Sequence, residues 1–137
     1  MIAAGTFVRV LFPTRERPNV PGLLHIGYVL TLANREAIVA DTTSQPWPAG
    51  TPLPAGARLF DAQEAARLNQ SRAFLVRLDV LARLPLSKAW FPDIDQPNLG
   101  VIAVAPASLR AELTRIATNL VRRRRDLPYP RKTTNQN

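Results

Sequence analysis

The chain has 137 residues, 46% of them hydrophobic and 20% charged, with a net charge of +8. That size and balance fit one globular domain with its own core and exclude fibrous and low-complexity classes. The absence of cysteine excludes disulfide frameworks and thiolate metal sites, and a single histidine excludes multi-histidine metal centres.

The opening MIAAGTFVRV has no basic segment followed by a long apolar one, so no signal peptide is expected. No apolar run approaches the ~18 residues of a membrane span, so no membrane partner is expected and a cytoplasmic location is the default. Gly5–Phe12, GTFVRVLF, reads as a first strand, with Thr6, Val8, Val10 and Phe12 on one face. Residues 13–22 form a loop with three prolines and Arg15, Glu16 and Arg17, either a mobile flap or a surface excursion.

Residues 21–45 organise the chain. Gly27–Leu32, GYVLTL, and Ala37–Ala40, AIVA, are apolar strands around the polar turn Ala33-Asn34-Arg35-Glu36. His25 precedes the first strand, and Asp41, Thr42, Thr43, Ser44 and Gln45 follow the second. Antiparallel pairing brings those two ends side by side, placing an imidazole near three hydroxyls.

Gln45–Ala57 reads as loop, with four prolines, two glycines and Trp47 as either a core plug or an exposed contact. Asp61 and Glu64 have capping-box spacing and open a short helix to about Leu68. Ser71–Leu84 has a composition that permits helix. Its alternation of Phe74, Val76, Leu78 and Val80 against Arg77 and Asp79 favours one long strand, or two joined by a bulge, closed by Pro85.

Lys88–Asn98 is a loop holding Trp90 and Phe91, which suit a core or a dimer interface. Gly100–Ala105 is a last short strand. Pro106–Arg122 is a helix whose Leu109, Leu113, Ile116, Ala117 and Leu120 share one face. Arg122, Arg123, Arg124 and Arg125 sit at its C-terminal end, where cations suit the helix dipole.

Residues 122–132 carry a net +5, so the basic character is mainly C-terminal. Such a run binds polyanions by counterion release, or is simply a solvated helix end. The expected division is a domain over 1–122 and a basic, disordered tail over 123–137. The element order suggests a mainly β (α+β) fold: a small, curved antiparallel sheet or partly open barrel with helices packed outside.

Several stretches, taken in order, resemble the PemK/MazF-like toxins of bacterial toxin–antitoxin systems. They are GTFVRVLFP, PGLLHIGYVL, DTTSQ, LARLPLSKAWF and LGVIAVAPASLRAEL, spanning roughly residues 5–120. The resemblance implies an SH3-like barrel, a homodimer, and a metal-independent endoribonuclease that cuts single-stranded RNA without a cofactor. It also implies a cognate antitoxin as partner. The family's Thr/Ser position falls on Thr43 or Ser44. Its Arg-Pro pair falls on or beside His25, where this chain reads His-Ile. Arginine is a permanent cation, whereas histidine is charged only when its pKa is held near or above neutral.

Two readings follow. In the first, His25 is the acid or base of RNA cleavage, and Thr43 or Ser44 orients the phosphate. Arg9, Arg15 and Arg17 then supply cations, and Trp47 stacks a base. Asp41, ahead of the threonines, is expected to repel phosphate. In the second, the barrel is catalytically degenerate and serves as a nucleic-acid- or protein-binding module, and these side chains are ordinary loop and surface groups. A carboxylate-pair enzyme built on Asp93 and Asp95 has little support, because that Pro-flanked loop is an ordinary turn.

Overall fold

The computed structural model describes residues 1–130. Six strands and two helices run in the order β1 Thr6–Phe12, β2 Leu23–Ala33, β3 Glu36–Thr43, β4 Ala57–Phe60, α1 Ala62–Arg67, β5 Phe74–Pro85, β6 Val101–Val104 and α2 Ala107–Arg123. The strands form one antiparallel sheet in the order β4-β5-β3-β2-β1-β6. The chain is therefore mainly β with a C-terminal helix.

The β2–β3 connection is as tight as its sequence suggests. Asn34 and Arg35 both have positive φ, 54° and 65°, as a two-residue type I′ turn requires. Its twist matches that of the flanking strands, so the register runs without slack from Ala33↔Glu36 toward Gly27↔Asp41, with one irregularity near Val29 and Thr31. Asp61 accepts from the Glu64 amide while Glu64 accepts from the Asp61 amide, completing the capping box that starts α1.

Both faces of the sheet are buried. One face carries Val8, Val10, Phe12, Val29, Val39, Leu84, Trp90 and Phe91. The other carries Phe7, Tyr28, Phe60, Phe74, Val76, Leu81 and, from α2, Leu113 and Ala117. Trp90 and Phe91 are core residues of the single chain, 8% and 0% exposed, so the dimer-interface alternative for them is not needed to bury them.

Gly27 marks where β2 is squeezed between its neighbours. A Cβ there would lie 2.5 Å from Val39 Cγ1 and 2.9 Å from Val10 Cγ1, so only glycine fits.

Three expectations are corrected. The sheet is not closed into a barrel: β4 and β6 are its two edges and do not pair with each other. Residues 57–60 form the edge strand β4, although they follow a Pro-rich loop and make only four ladder positions with β5. The tail does not begin at 123 as disordered chain. Arg123 still belongs to α2, and Leu127 and Tyr129 are buried at 4% and 6% exposure. Tyr129 bonds to β5 through both backbone groups, its amide to Leu81 O and its carbonyl from Arg83 N. The part of the expected tail from 131 to 137 lies outside the described residues.

β5 is one strand with an interruption. Its pairing with β3 jumps from Ala40↔Leu81 to Asp41↔Arg77, which lifts Leu78–Val80 out of that ladder. Leu78 N bonds instead to Gly56 O. The bulge lies beside Asp41 and sets the shape of the site.

Candidate functional site

The site forms where β2 begins and β3 ends. Because Gly27 pairs with Asp41, His25 and Asp41 are diagonal neighbours across the strand pair, within reach of each other's side chains. His25 Nδ1 lies 2.7 Å from Asp41 Oδ1. Asp41 Oδ1 also accepts from the Thr42 amide at 2.9 Å, which fixes the carboxylate. Phe12 lies roughly parallel to the imidazole, with ring centroids 6.2 Å apart and planes 30° from each other.

The Asp41 bond holds the His25 pKa above its ordinary value of 6.5 and outweighs the opposing desolvation; the Asp41 charge and the Thr42 backbone add to the upward shift. A carboxylate on Nδ1 selects the tautomer whose free nitrogen is Nε2. When neutral, Nε2 accepts a proton; when the ring is charged, Nε2 donates one.

His25 lines two neighbouring cavities. The first, of about 400 Å³, brings it together with Arg9, Thr42, Thr43 and Ser44, and adds Gln70 and Phe74. The second, of about 270 Å³, adds Asp41, Arg15, Asp79, Val80 and Tyr129. A third, of about 220 Å³, shares Ser44 and Phe74 with the first and reaches Trp47. The three form a chain of concavities from Trp47 past His25 to Arg15.

The three hydroxyls have different employment. Thr42 Oγ1 donates to Ile26 O at 2.6 Å and ties the ends of β2 and β3 together. Thr43 Oγ1 accepts from the Gln45 amide at 3.3 Å, so its own proton is still available to a ligand. Ser44 is exposed on the cavity wall.

The expected cations are placed unevenly. Arg9 lines the first cavity and pairs with Asp93 at 3.0 Å. Arg15 lines the second and pairs with Asp126. Arg17 stays on the exposed loop and lines neither cavity. Trp47 is half-buried, with its indole Nε1 donating to Thr51 O at 2.9 Å, and belongs only to the third cavity. Arg122 and Arg123 end α2, Arg124 caps it and Arg125 follows, and Arg124 pairs with Asp126.

Asp41 corrects the sequence reading most. It was expected only to repel phosphate, and its carboxylate is instead the partner of His25. Arg77 and Asp79 were also missed as neighbours of the site: they form a bidentate pair at 2.9 and 2.7 Å, and Asp41 adds to the upward shift of the Arg77 pKa. The signal for Asp41 was present in the hairpin register. That for Asp79 was not, because it depends on the bulge in β5. The Tyr129 hydroxyl donates to Pro13 O at 3.1 Å, and burial followed by the Asp41 charge pushes its pKa up to about 12.

Among the described residues no group of three or more His, Cys, Asp or Glu side chains could hold a metal ion. No helix of the described chain is long and apolar enough to cross a membrane. No protein-family model matches the chain, and no curated protein matches it.

Proposed function

We propose that the chain is a metal-independent endoribonuclease that cleaves single-stranded RNA by attack of a ribose 2′-OH on the adjacent phosphate. The observation that carries this reading is the 2.7 Å His25–Asp41 dyad opening onto a cavity shared with Thr43, Ser44 and Arg9. In the forward step the 2′-oxygen bonds to phosphorus and the P–O5′ bond breaks, leaving a 2′,3′-cyclic phosphate and a 5′-hydroxyl. His25 Nε2 is the atom that carries a proton, from the 2′-OH or to the departing O5′. The Thr43 and Ser44 hydroxyls and the Arg9 guanidinium stabilise the charge that grows on the non-bridging oxygens. The chain has one histidine, so the second proton transfer falls to another side chain of the groove, to water or to a group on the RNA.

The order of the sequence motifs supports the PemK/MazF-like part of this reading. With it come an SH3-like description of the open sheet, a homodimer and an antitoxin partner. His25 then takes over work that an arginine does in that family. The dyad compensates for the exchange, since Asp41 raises the imidazole pKa and keeps more of it charged near neutrality.

Incubation with a long single-stranded RNA tests the proposal. Discrete fragments are expected, at the same rate with and without EDTA. RNA left intact, or cleavage lost in EDTA, contradicts it.

One observation favours the second reading, a nucleic-acid- or protein-binding module without catalysis. Each arginine around the dyad already has a carboxylate: Arg9 has Asp93, Arg15 has Asp126 and Arg77 has Asp79. On that reading RNA binds, measured by gel shift, without being cut.

A further inference from the structure

The C-terminal segment after α2 folds back onto the loop that leads into β2. Leu127 and Tyr129 are buried, and the Tyr129 hydroxyl holds Pro13 O at the start of that loop. The chain reversal carries Asp126 to Arg15, so a residue of the basic helix end meets a residue that lines the His25 cavity.

Asp126 does not pair with Arg15 alone. Arg124 Nε donates to Asp126 Oδ1 at 3.0 Å and its NH2 donates to Oδ2 at 2.8 Å. Arg15 reaches the same Oδ2. One carboxylate is therefore gripped by two guanidinium groups. Two guanidinium groups converging on one oxyanion is also how arginines hold a backbone phosphodiester, whose two non-bridging oxygens share one negative charge as a carboxylate's do.

The side chains concerned are 48%, 38% and 40% exposed for Arg15, Asp126 and Arg124. Exposed ion pairs of this kind hold weakly and are screened by salt. A polyanion competes with such a carboxylate on favourable terms, because neutralising its phosphates releases condensed counterions. Around this point Arg122, Arg123 and Arg125 add three more exposed cations, and Asp126 is the one acidic residue between Glu112 and Pro130.

We propose that Asp126 is a built-in stand-in for phosphate: it occupies a binding site for a backbone phosphodiester formed by Arg15 and Arg124, and an RNA strand displaces it. The site continues the groove away from His25, so that a strand with its reactive phosphate at the dyad lays a flanking phosphate between the two arginines. This rests on the ribonuclease reading for the identity of the strand, while the phosphate chemistry stands on the triad itself. It also gives the basic end of α2 a direction, because the cavity-lining Arg15 and the helix-end Arg124 become one surface once Asp126 leaves.

The test is binding of a fluorescent 2′-O-methyl oligoribonucleotide, which has no free 2′-OH to react, at several salt concentrations. The proteins are the wild type, Asp126→Asn and Arg124→Gln, with inorganic phosphate as competitor. Asp126→Asn keeps the size and polarity of the side chain but removes its charge. It is expected to tighten binding by roughly tenfold and to steepen the dependence of log K on log salt by about 0.7, the increment of one single-strand phosphate contact. Arg124→Gln is expected to weaken binding and to flatten that dependence by a similar amount. Millimolar phosphate competes better with the strand on Asp126→Asn than on the wild type.

Unchanged or weaker binding by a folded Asp126→Asn overturns the proposal and makes the triad a brace for the C-terminal segment. If Asp126→Asn does not fold, Arg124→Gln decides alone: unchanged binding and slope overturn the proposal. The two readings fail separately. A protein that never cuts RNA but binds it more tightly as Asp126→Asn keeps the phosphate site and loses the nuclease. A protein that cuts RNA but binds it equally in both forms does the opposite.

Discussion

On the proposed ribonuclease mechanism, His25→Ala is expected to lower RNA cleavage by about 10²–10⁴-fold, the usual contribution of a positioned general acid or base. The loss falls on turnover more than on RNA affinity, because the imidazole is one small contact in a groove that extends from Trp47 to Arg15. The fold survives the change. The His25 side chain is 33% exposed at the start of β2, and the core beneath it is made by Phe12 and Val10. Asp41 is already 21% exposed beside His25 and is bonded to the Thr42 amide, so removing the imidazole strands no buried carboxylate without a partner. Cleavage kinetics alongside far-UV circular dichroism check both halves. A folded His25→Ala protein that cleaves like the wild type removes His25 from the mechanism.

Asp41→Asn is expected to cost nearly as much, by a different route. The amide cannot hold the imidazolium as the carboxylate does, and it can present its NH2 to Nδ1 and favour the wrong tautomer. The His25 pKa then falls toward its ordinary 6.5, since the Asp41 bond is the largest cause of its elevation. The limb of the pH–rate profile that belongs to His25 moves to lower pH, which simple loss of a structural contact would not do.

The stability consequence has a definite sign. His25 has a raised folded pKa, so the pair's contribution is fully present below the unfolded value near 6.5 and is lost as pH rises through the folded value. Wild-type melting temperature therefore carries a downward component across that window, and Asp41→Asn does not. A chain with one histidine makes the assignment simple, because one imidazole resonance titrates in an NMR experiment.

Local patterns were enough to find the elements that hold the site. The Asn34-Arg35 turn, the Asp61–Glu64 capping box, the apolar face of α2 and the stop at Pro85 each act through neighbours a few residues away, and each is visible in the sequence. The juxtaposition of His25 with the hydroxyls followed from the same hairpin. What sequence could not give depends on contacts between distant residues. β4 is four residues long with Leu59 half-exposed, too short and too weakly patterned to stand out from the Pro-rich loop before it. The His25–Asp41 bond needed the register through an irregular ladder, and Asp79 needed the bulge that lifts residues 78–80 out of the β3 pairing. Tyr129 meets Pro13 across 116 residues, and nothing in LPYP announces that contact. Its basic surroundings read as a tail because charge, not burial, dominates the composition there.

The Arg9–Asp93 and Arg15–Asp126 pairs also explain why charge counting misleads. A net +8 is a property of the whole chain, whereas Arg9 and Arg15 are each offset by an aspartate from a distant segment. On the proposed RNA-binding role, affinity then depends on how readily those aspartates give way, and salt dependence reports it.

The most direct measurement compares a single-stranded RNA with the same sequence carrying one 2′-deoxyribose at the cut position, both in EDTA, and reads the ends of the products. The account predicts 2′,3′-cyclic phosphate ends from the RNA and no cut at the deoxy position. Cutting at the deoxy position, or 3′-hydroxyl ends from the RNA, would contradict attack by the ribose 2′-OH at the His25–Asp41 dyad.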